Sequence, residues 1–175
     1  NYRAPVWHPL ESWIYFTVQL EQTWQVGRIR PDGSQMEMVG IAGRSVQFSH
    51  DGRYAFYTKA ASPGLWRRDL LDQQASSSDV QVLSDLAPVD WANWFVGKAD
   101  IFYVKRQSQQ PPVLYRQAIH QLMGADDSLP MRQQLLSLPR LLYHSGLYID
   151  EQDEVVVASF ITEQKSDIYQ LKLKP

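Results

Sequence analysis

The chain has 175 residues, with 17 basic and 19 acidic side chains for a net charge of −2, and it carries no run of like charge of the kind that marks a nucleic-acid-binding stripe. No apolar run reaches the roughly 18 residues of a membrane-spanning helix, and no signal-peptide pattern opens the chain. The absence of cysteine excludes disulfides, thiolate metal sites and a cysteine nucleophile. Aromatic residues make up 12% of the chain, including six Trp and nine Tyr, a composition suited to packed β-sheet.

In chain order the predicted elements are short strands in groups. The first group has an inner strand ending near Trp7, then Ile14-Tyr15-Phe16-Thr17, a third strand over 24–29 and a fourth over 35–39. Gly40-Ile41-Ala42-Gly43 follows as a linker. The second group is the clearest: strands at 45–49, 53–59 and 64–70, joined by Asp51-Gly52 and Ser62-Pro63-Gly64, whose turn chemistry supplies the two reversals of a meander. A fourth strand is expected over 80–84. The third group has Trp94, then Ile101-Phe102-Tyr103-Val104, a long hairpin loop over 107–112, and strands over 114–119 and 133–138. In the last group Ile149 precedes Val156-Val157-Ala158-Ser159 and a strand over 168–173.

These groups are repeats. The four strings begin 41, 46 and 55 positions apart, and seven residues before each lies a large apolar residue, Trp7, Phe48, Trp94 or Ile149. An innermost strand is expected to turn that side chain inward. One meander cannot bury its apolar face alone, so repeats of this size must stack. The last group lacks a fourth strand, and an uncovered third strand invites edge pairing, so a covering strand is expected from chain preceding Asn1. The opening Asn agrees with a segment cut from a longer protein. The run 129–142 has helical amphipathicity, but Pro130 and Pro139 leave only eight residues between them, and strand is favoured. Residues 75–79 and 120–128 read as surface loops.

Catalytic signatures are missing. His8, His50, His120 and His144 lack the spacing of a zinc site, and no G-x-S-x-G, H-E-x-x-H, Walker loop or G-x-G-x-x-G occurs. His8 and His50 read as turn-capping residues. Asp126-Asp127 and Asp150-Glu151-Asp153 read as solvated loop carboxylates rather than cation ligands. Trp13, Trp24 and Trp66 are expected to pack between sheets.

The run Phe48-Ser49-His50-Asp51-Gly52-Arg53-Tyr54-Ala55-Phe56 resembles the F-S-P-D-G-R-x-I-A-F signature of TolB-type β-propeller repeats, with His50 where that family prefers Pro. Gly64-Leu65-Trp66-Arg67-Arg68-Asp69-Leu70 resembles their L-W-x-x-D-L strand, and the signature is degraded in the other copies. Asp90-Trp91-Ala92-Asn93-Trp94, together with Ile101-Phe102-Tyr103-Val104 and Ser166-Asp167-Ile168-Tyr169, is similar to the last blades of CadC-like membrane-anchored, winged-helix transcriptional regulators. That resemblance implies a cytoplasmic DNA-binding domain and one transmembrane helix upstream, with this segment as a periplasmic sensor.

The sequence therefore predicts an all-β chain: a partial β-propeller of about four blades built from four-stranded antiparallel meanders, the last lacking its outer strand. It is read as a single domain over 1–175 with repeats near 1–40, 41–86, 87–140 and 141–175. The expected role is non-enzymatic sensing or protein interaction, with no cofactor and no metal. The expected partner is a protein or a small-molecule signal, with no nucleic acid bound by this segment and membrane association only through an upstream anchor. A homodimer through the strand edges at 1–8 and 168–173 is a further expectation. Loops entering the inner strands converge in a propeller, which selects Arg44, Asp90, Trp91 and His144, with Tyr2 and Arg3 in the first copy, as ligand- or partner-binding residues. The expected compartment is the periplasm, with the cytoplasm as the alternative. A TolB-like envelope protein and the propeller of a prolyl-oligopeptidase-type peptidase are the rival functions; the peptidase would need a hydrolase domain after Pro175.

Overall fold

The computed structural model describes residues 2–71, 79–123, 132–138, 146–150, 155–162 and 165–172. The chain divides into two compact units, Asn1–Ser84 and Asp85–Pro175. Each unit contains two antiparallel sheets whose strands are ordered as they occur in the chain.

In the first unit, one sheet is β1 (Tyr2–Trp7), β2 (Ile14–Leu20), β3 (Thr23–Ile29) and β4 (Glu37–Ile41). The other is β5 (Arg44–Phe48), β6 (Tyr54–Thr58), β7 (Leu65–Asp69) and β8 (Val80–Leu83). The second meander forms where its turn chemistry places it. Gly52 adopts φ +67°, a conformation that costs glycine little, while the Asp51 carboxylate accepts hydrogen bonds from the Ser49 hydroxyl at 2.5 Å and the Arg53 amide at 3.1 Å. Those two donors hold the Asp51 carboxyl below the usual carboxylate range. The expected linker at 40–43 is partly strand, since Ile41 ends β4, pairs with Val26 and is buried.

The two sheets pack face to face through Trp13, Tyr15, Val26 and Ile41 from the first and Val46, Phe48, Ala55 and Tyr57 from the second. His8 joins their hairpins. Its Nδ1 accepts from the amides of Leu10 at 3.4 Å and Glu11 at 3.1 Å, which leaves Nε2–H to donate to the Gly52 carbonyl at 3.2 Å. The ring meets Phe48 edge-on at 4.8 Å. His8 is thus the turn cap read from the sequence, and it is also buried between sheets; His50 is exposed.

The expectation that the four spaced apolar residues all turn inward holds for three. Phe48, Trp94 and Ile149 are buried, but Trp7 is 60% exposed. Trp7 pairs with Ile14, on the sheet face that corresponds, in the second sheet, to the face packed against the first. Within its unit no sheet precedes β1–β4, so that face has no neighbour there, and Met38 on it is exposed too.

The second unit pairs β9 (Trp94–Val96), β10 (Asp100–Lys105), β11 (Val113–Ala118) and β12 (Gln133–Ser137) in one sheet. The other has three strands among the described residues, β13 (Leu147–Ile149), β14 (Val155–Thr162) and β15 (Lys165–Lys172), so β15 has no outer neighbour there. The strand expected over 133–138 is present. Ile119, expected to close a strand, instead opens a single helical turn, Ile119–Leu122. The seven-residue offset also conceals a change of register. Val96 pairs with Ile101 and Trp94 with Tyr103, so Val96 occupies the place of Phe48 and Trp94 sits one step along the same face. Phe102, Val104, Leu114 and Leu138 pack against Leu147, Ile149, Val156 and Ala158.

A Cβ at Gly52 would lie 2.7 Å from the His8 ring, on top of the positive φ. Gly52→Ala is expected to cost about 1–3 kcal/mol, read as a lower urea midpoint. Combined with His8→Ala, the loss should be smaller than the sum of the two, because the second change removes the atoms that clash.

Candidate functional site

The sequence-predicted binding residues fall into different surroundings. Asp90 is fully buried at the end of a 3-10 turn, Pro88–Asp90. Its carboxylate accepts two hydrogen bonds from Arg106, Nε at 2.7 Å and Nη2 at 2.8 Å, and one from the Asn93 amide at 2.7 Å. A bidentate guanidinium with a third donor satisfies a buried carboxylate, and that arrangement anchors the entry to β9. Trp91 is buried as well, and its carbonyl accepts the Trp94 indole N–H at 2.8 Å. Both residues serve the packing of the second unit. His144 lies outside the described residues, as do Asp126, Asp127, Glu151 and Asp153. The Asp150 carboxylate accepts the Val155 amide at 2.9 Å. Among the described residues, no group of His, Asp and Glu side chains is arranged to hold a metal ion.

Arg44 and Arg3 are brought together. They stand 41 positions apart, one repeat; Arg3 is the second residue of β1 and Arg44 the first of β5. After each comes a residue in the left-handed region, Ala4 at φ 49° and Ser45 at φ 55°, and each strand shifts register there, between Arg3 and Val6 and between Arg44 and Gln47. A bulge of this kind bends the strand and re-aims the adjoining side chain. Both guanidiniums approach the half-buried Trp24 indole, Arg3 at 5.4 Å and Arg44 at 5.7 Å from the ring centre, within cation–π range. Burial, together with the charge of Arg3, lowers the proton affinity of Arg44.

Hydroxyls fix the second bulge. The Ser45 amide, turned by its positive φ, donates to the Thr17 Oγ1 of the neighbouring sheet at 3.1 Å, and the Thr58 hydroxyl donates to the Arg44 carbonyl at 3.0 Å. Arg44 Nη2 donates to the Ala60 carbonyl at 3.0 Å. Thr17 and Thr58 are the fourth residues of their repeat strings. The third string has Val104 there, and its inner strand is entered through the Pro88–Asp90 turn, with Trp91 at φ −55°. In the fourth copy Gly146, at φ 87°, occupies the place of Ala4 and Ser45. Sequence reasoning selected Arg44 and Arg3 but not Trp24 as their platform. The signal was available as Thr, Thr, Val, Ser at the fourth string position, which separates the third repeat from the others.

Other tryptophans stack on cations that are already hydrogen-bonded. Trp13 is buried, with Arg28 at 4.3 Å and Arg30 at 3.7 Å; Arg28 pairs with Glu37, and Arg30 donates to Gln35 and to the Ser12 carbonyl. Trp66 lies under Lys59 at 3.6 Å. Lys59 and Arg68 both pair with Asp79, at 3.1 and 2.7 Å, and Arg68 also donates to the Gly40 carbonyl in the other sheet. Burial works to raise the Asp79 carboxyl, but the approach of the Tyr57 hydroxyl, Arg68 and Lys59 overcomes it and leaves the group below its ordinary value. Tyr57 sits buried beside this carboxylate without completing a well-aligned hydrogen bond, and burial, followed by the influence of Asp79, pushes its ionisation up.

Four antiparallel sheets in series, with a bulged inner strand opening both sheets of the first unit, define a β-propeller-type domain. The chain is similar in structure to TolB from Acinetobacter baumannii, with a TM-score of 0.68 at 15% identity over 97% of this chain and 40% of that one. It is also similar to a protein from Bacteroides uniformis assigned provisionally as a 6-phosphogluconolactonase, with a TM-score of 0.53 at 13% identity over 97% of this chain and 53% of that one. Identities this low establish the fold alone, and the chain spans two-fifths of the TolB chain it matches. No protein-family model matches the chain, and no curated protein matches it in sequence.

Asp90→Ala leaves Arg106 partly buried without its carboxylate and is expected to cost about 3–5 kcal/mol, measured by urea unfolding. For Asp79, a carboxyl lowered in the folded state contributes stability that is complete above the unfolded value, near pH 4. That contribution is lost as pH falls through the lower folded value. Asp79→Asn should therefore reduce stability at pH 7 and flatten the acid limb of the stability–pH curve; an unchanged acid limb would contradict this account.

Proposed function

We propose that the chain is a non-enzymatic sensory or protein-interaction domain, and that it works as the periplasmic part of a membrane-anchored transcriptional regulator. The recognition half of the reading is carried by one observation: two repeat-equivalent arginines, Arg3 and Arg44, each set by a bulge, converge on Trp24. Conformations that cost a non-glycine residue free energy are kept where function uses them. The regulator half draws support from the resemblance of residues 90–94, 101–104 and 166–169 to the last blades of that group. Binding then acts on transcription by favouring one of two states of the signalling assembly, to the extent that the ligand discriminates between them.

A second reading, a TolB-like periplasmic protein of an envelope complex, draws support from the structural likeness to TolB. The two part in what they regulate. In the native host, Arg3→Gln with Arg44→Gln in the intact protein is expected to change the transcript levels of a defined gene set by several-fold at unchanged protein abundance. Increased detergent sensitivity with unchanged transcripts would replace the regulator reading with the envelope one, and no effect on either would remove both.

A further inference from the structure

On the reading that this surface recognises a partner, we propose that Arg3, Arg44 and Trp24 form a carboxylate-binding site that takes an acidic side chain from an extended peptide segment of a protein partner. The two guanidiniums are separate chain segments meeting at one indole, 5.4 and 5.7 Å from its centre. Their planar forks match the two oxygens of a carboxylate. Burial, followed by the charge of Arg3, lowers the proton affinity of Arg44, and a neighbouring carboxylate acts in the opposite sense.

The mounting is rigid on the Arg44 side. The backbone of Arg44 and Ser45 is held by Thr58 and Thr17, and its Nη2 is turned by the Ala60 carbonyl, so little ordering is left to be done on binding. Trp24 is the common platform of the two guanidiniums. Gln19, opposite Trp24 in the sheet register and exposed, offers both an amide donor and an acceptor to a peptide backbone. Two monovalent cations and an amide suit a glutamyl or aspartyl peptide better than a phosphate dianion, which calls for more donors at one point.

The test uses the whole chain and the indole N–H signal of Trp24 in proton–nitrogen NMR spectra, assigned with Trp24→Phe. The probes are the blocked pentapeptide GEGEG, its neutral counterpart GQGQG, and inorganic phosphate, each at 0.15 M salt. GEGEG should shift the Trp24 signal saturably, and Arg3→Gln or Arg44→Gln should weaken that binding at least tenfold. Arg3 is exposed, so its variant reports on the site even if Arg44→Gln lowers stability. Equal binding of GQGQG, lost in both variants, would overturn the carboxylate while leaving partner recognition by this surface standing. Tighter binding of phosphate than of GEGEG would overturn the peptide. No saturable shift with any probe, or shifts unchanged in the variants, would overturn the site itself.

Discussion

A four-stranded antiparallel sheet whose strands carry apolar residues on both faces must cover each face, and the packing of one sheet's face on the next is the constraint from which the rest of each unit follows. In the first unit, Tyr15 and Val26 on one sheet meet Phe48, Ala55 and Tyr57 on the other. At roughly 25 cal/mol for each Å² of apolar surface removed from water, several aromatic rings buried across one interface outweigh any single hydrogen bond nearby. The central strands β6 and β10 are buried almost throughout, whereas β2 ends in two exposed residues. Trp7, on the face without a neighbour in its unit, shows the converse: the same repeat position, with an equally apolar residue, stays in water.

Polar groups are then arranged to serve that packing. His8 crosses from one hairpin to the next, Arg68 from β7 to the Gly40 carbonyl, and Thr17 to the Ser45 amide. Each ties the two consecutive sheets of the first unit, and each satisfies a backbone group that a bulge or turn has taken out of the ladder. In the third repeat a valine replaces the threonine, and a buried Asp90–Arg106 pair with a 3-10 turn does the anchoring instead. Two solutions to one problem, entering an inner strand, thus coexist in the same chain.

The convergence of Arg3 and Arg44 on Trp24 is a by-product of the first solution. An αL residue after Arg3 and another after Arg44 rotate the strand, and the side chains before them swing toward the neighbouring indole. The third repeat enters its inner strand through a 3-10 turn instead, and Asp90 at the end of that turn is drawn inward to Arg106. This explains why residues chosen by one positional rule divide into a surface pair and a structural pair.

Period, strand order and turn positions were legible in the amino-acid sequence because they are local: apolar residues at constant offsets, Asp51-Gly52 at a reversal, and prolines that leave too short a run between them to favour a helix where Gln133–Ser137 is a strand. The strands observed at 44–48, 54–58 and 65–69 differ from those read from the sequence by a residue or so at either end. What only the tertiary structure decided is which side of a repeat position faces a neighbour. Trp7 and Phe48 are alike in the sequence and opposite in burial, Trp94 and Phe48 share an offset but not a register, and Asp90 and Arg44 share a place in the repeat but not an environment. A single chain's residue pattern records the geometry of its own strand, whereas exposure, charge pairing and the convergence of Arg3, Arg44 and Trp24 depend on what a second sheet places opposite.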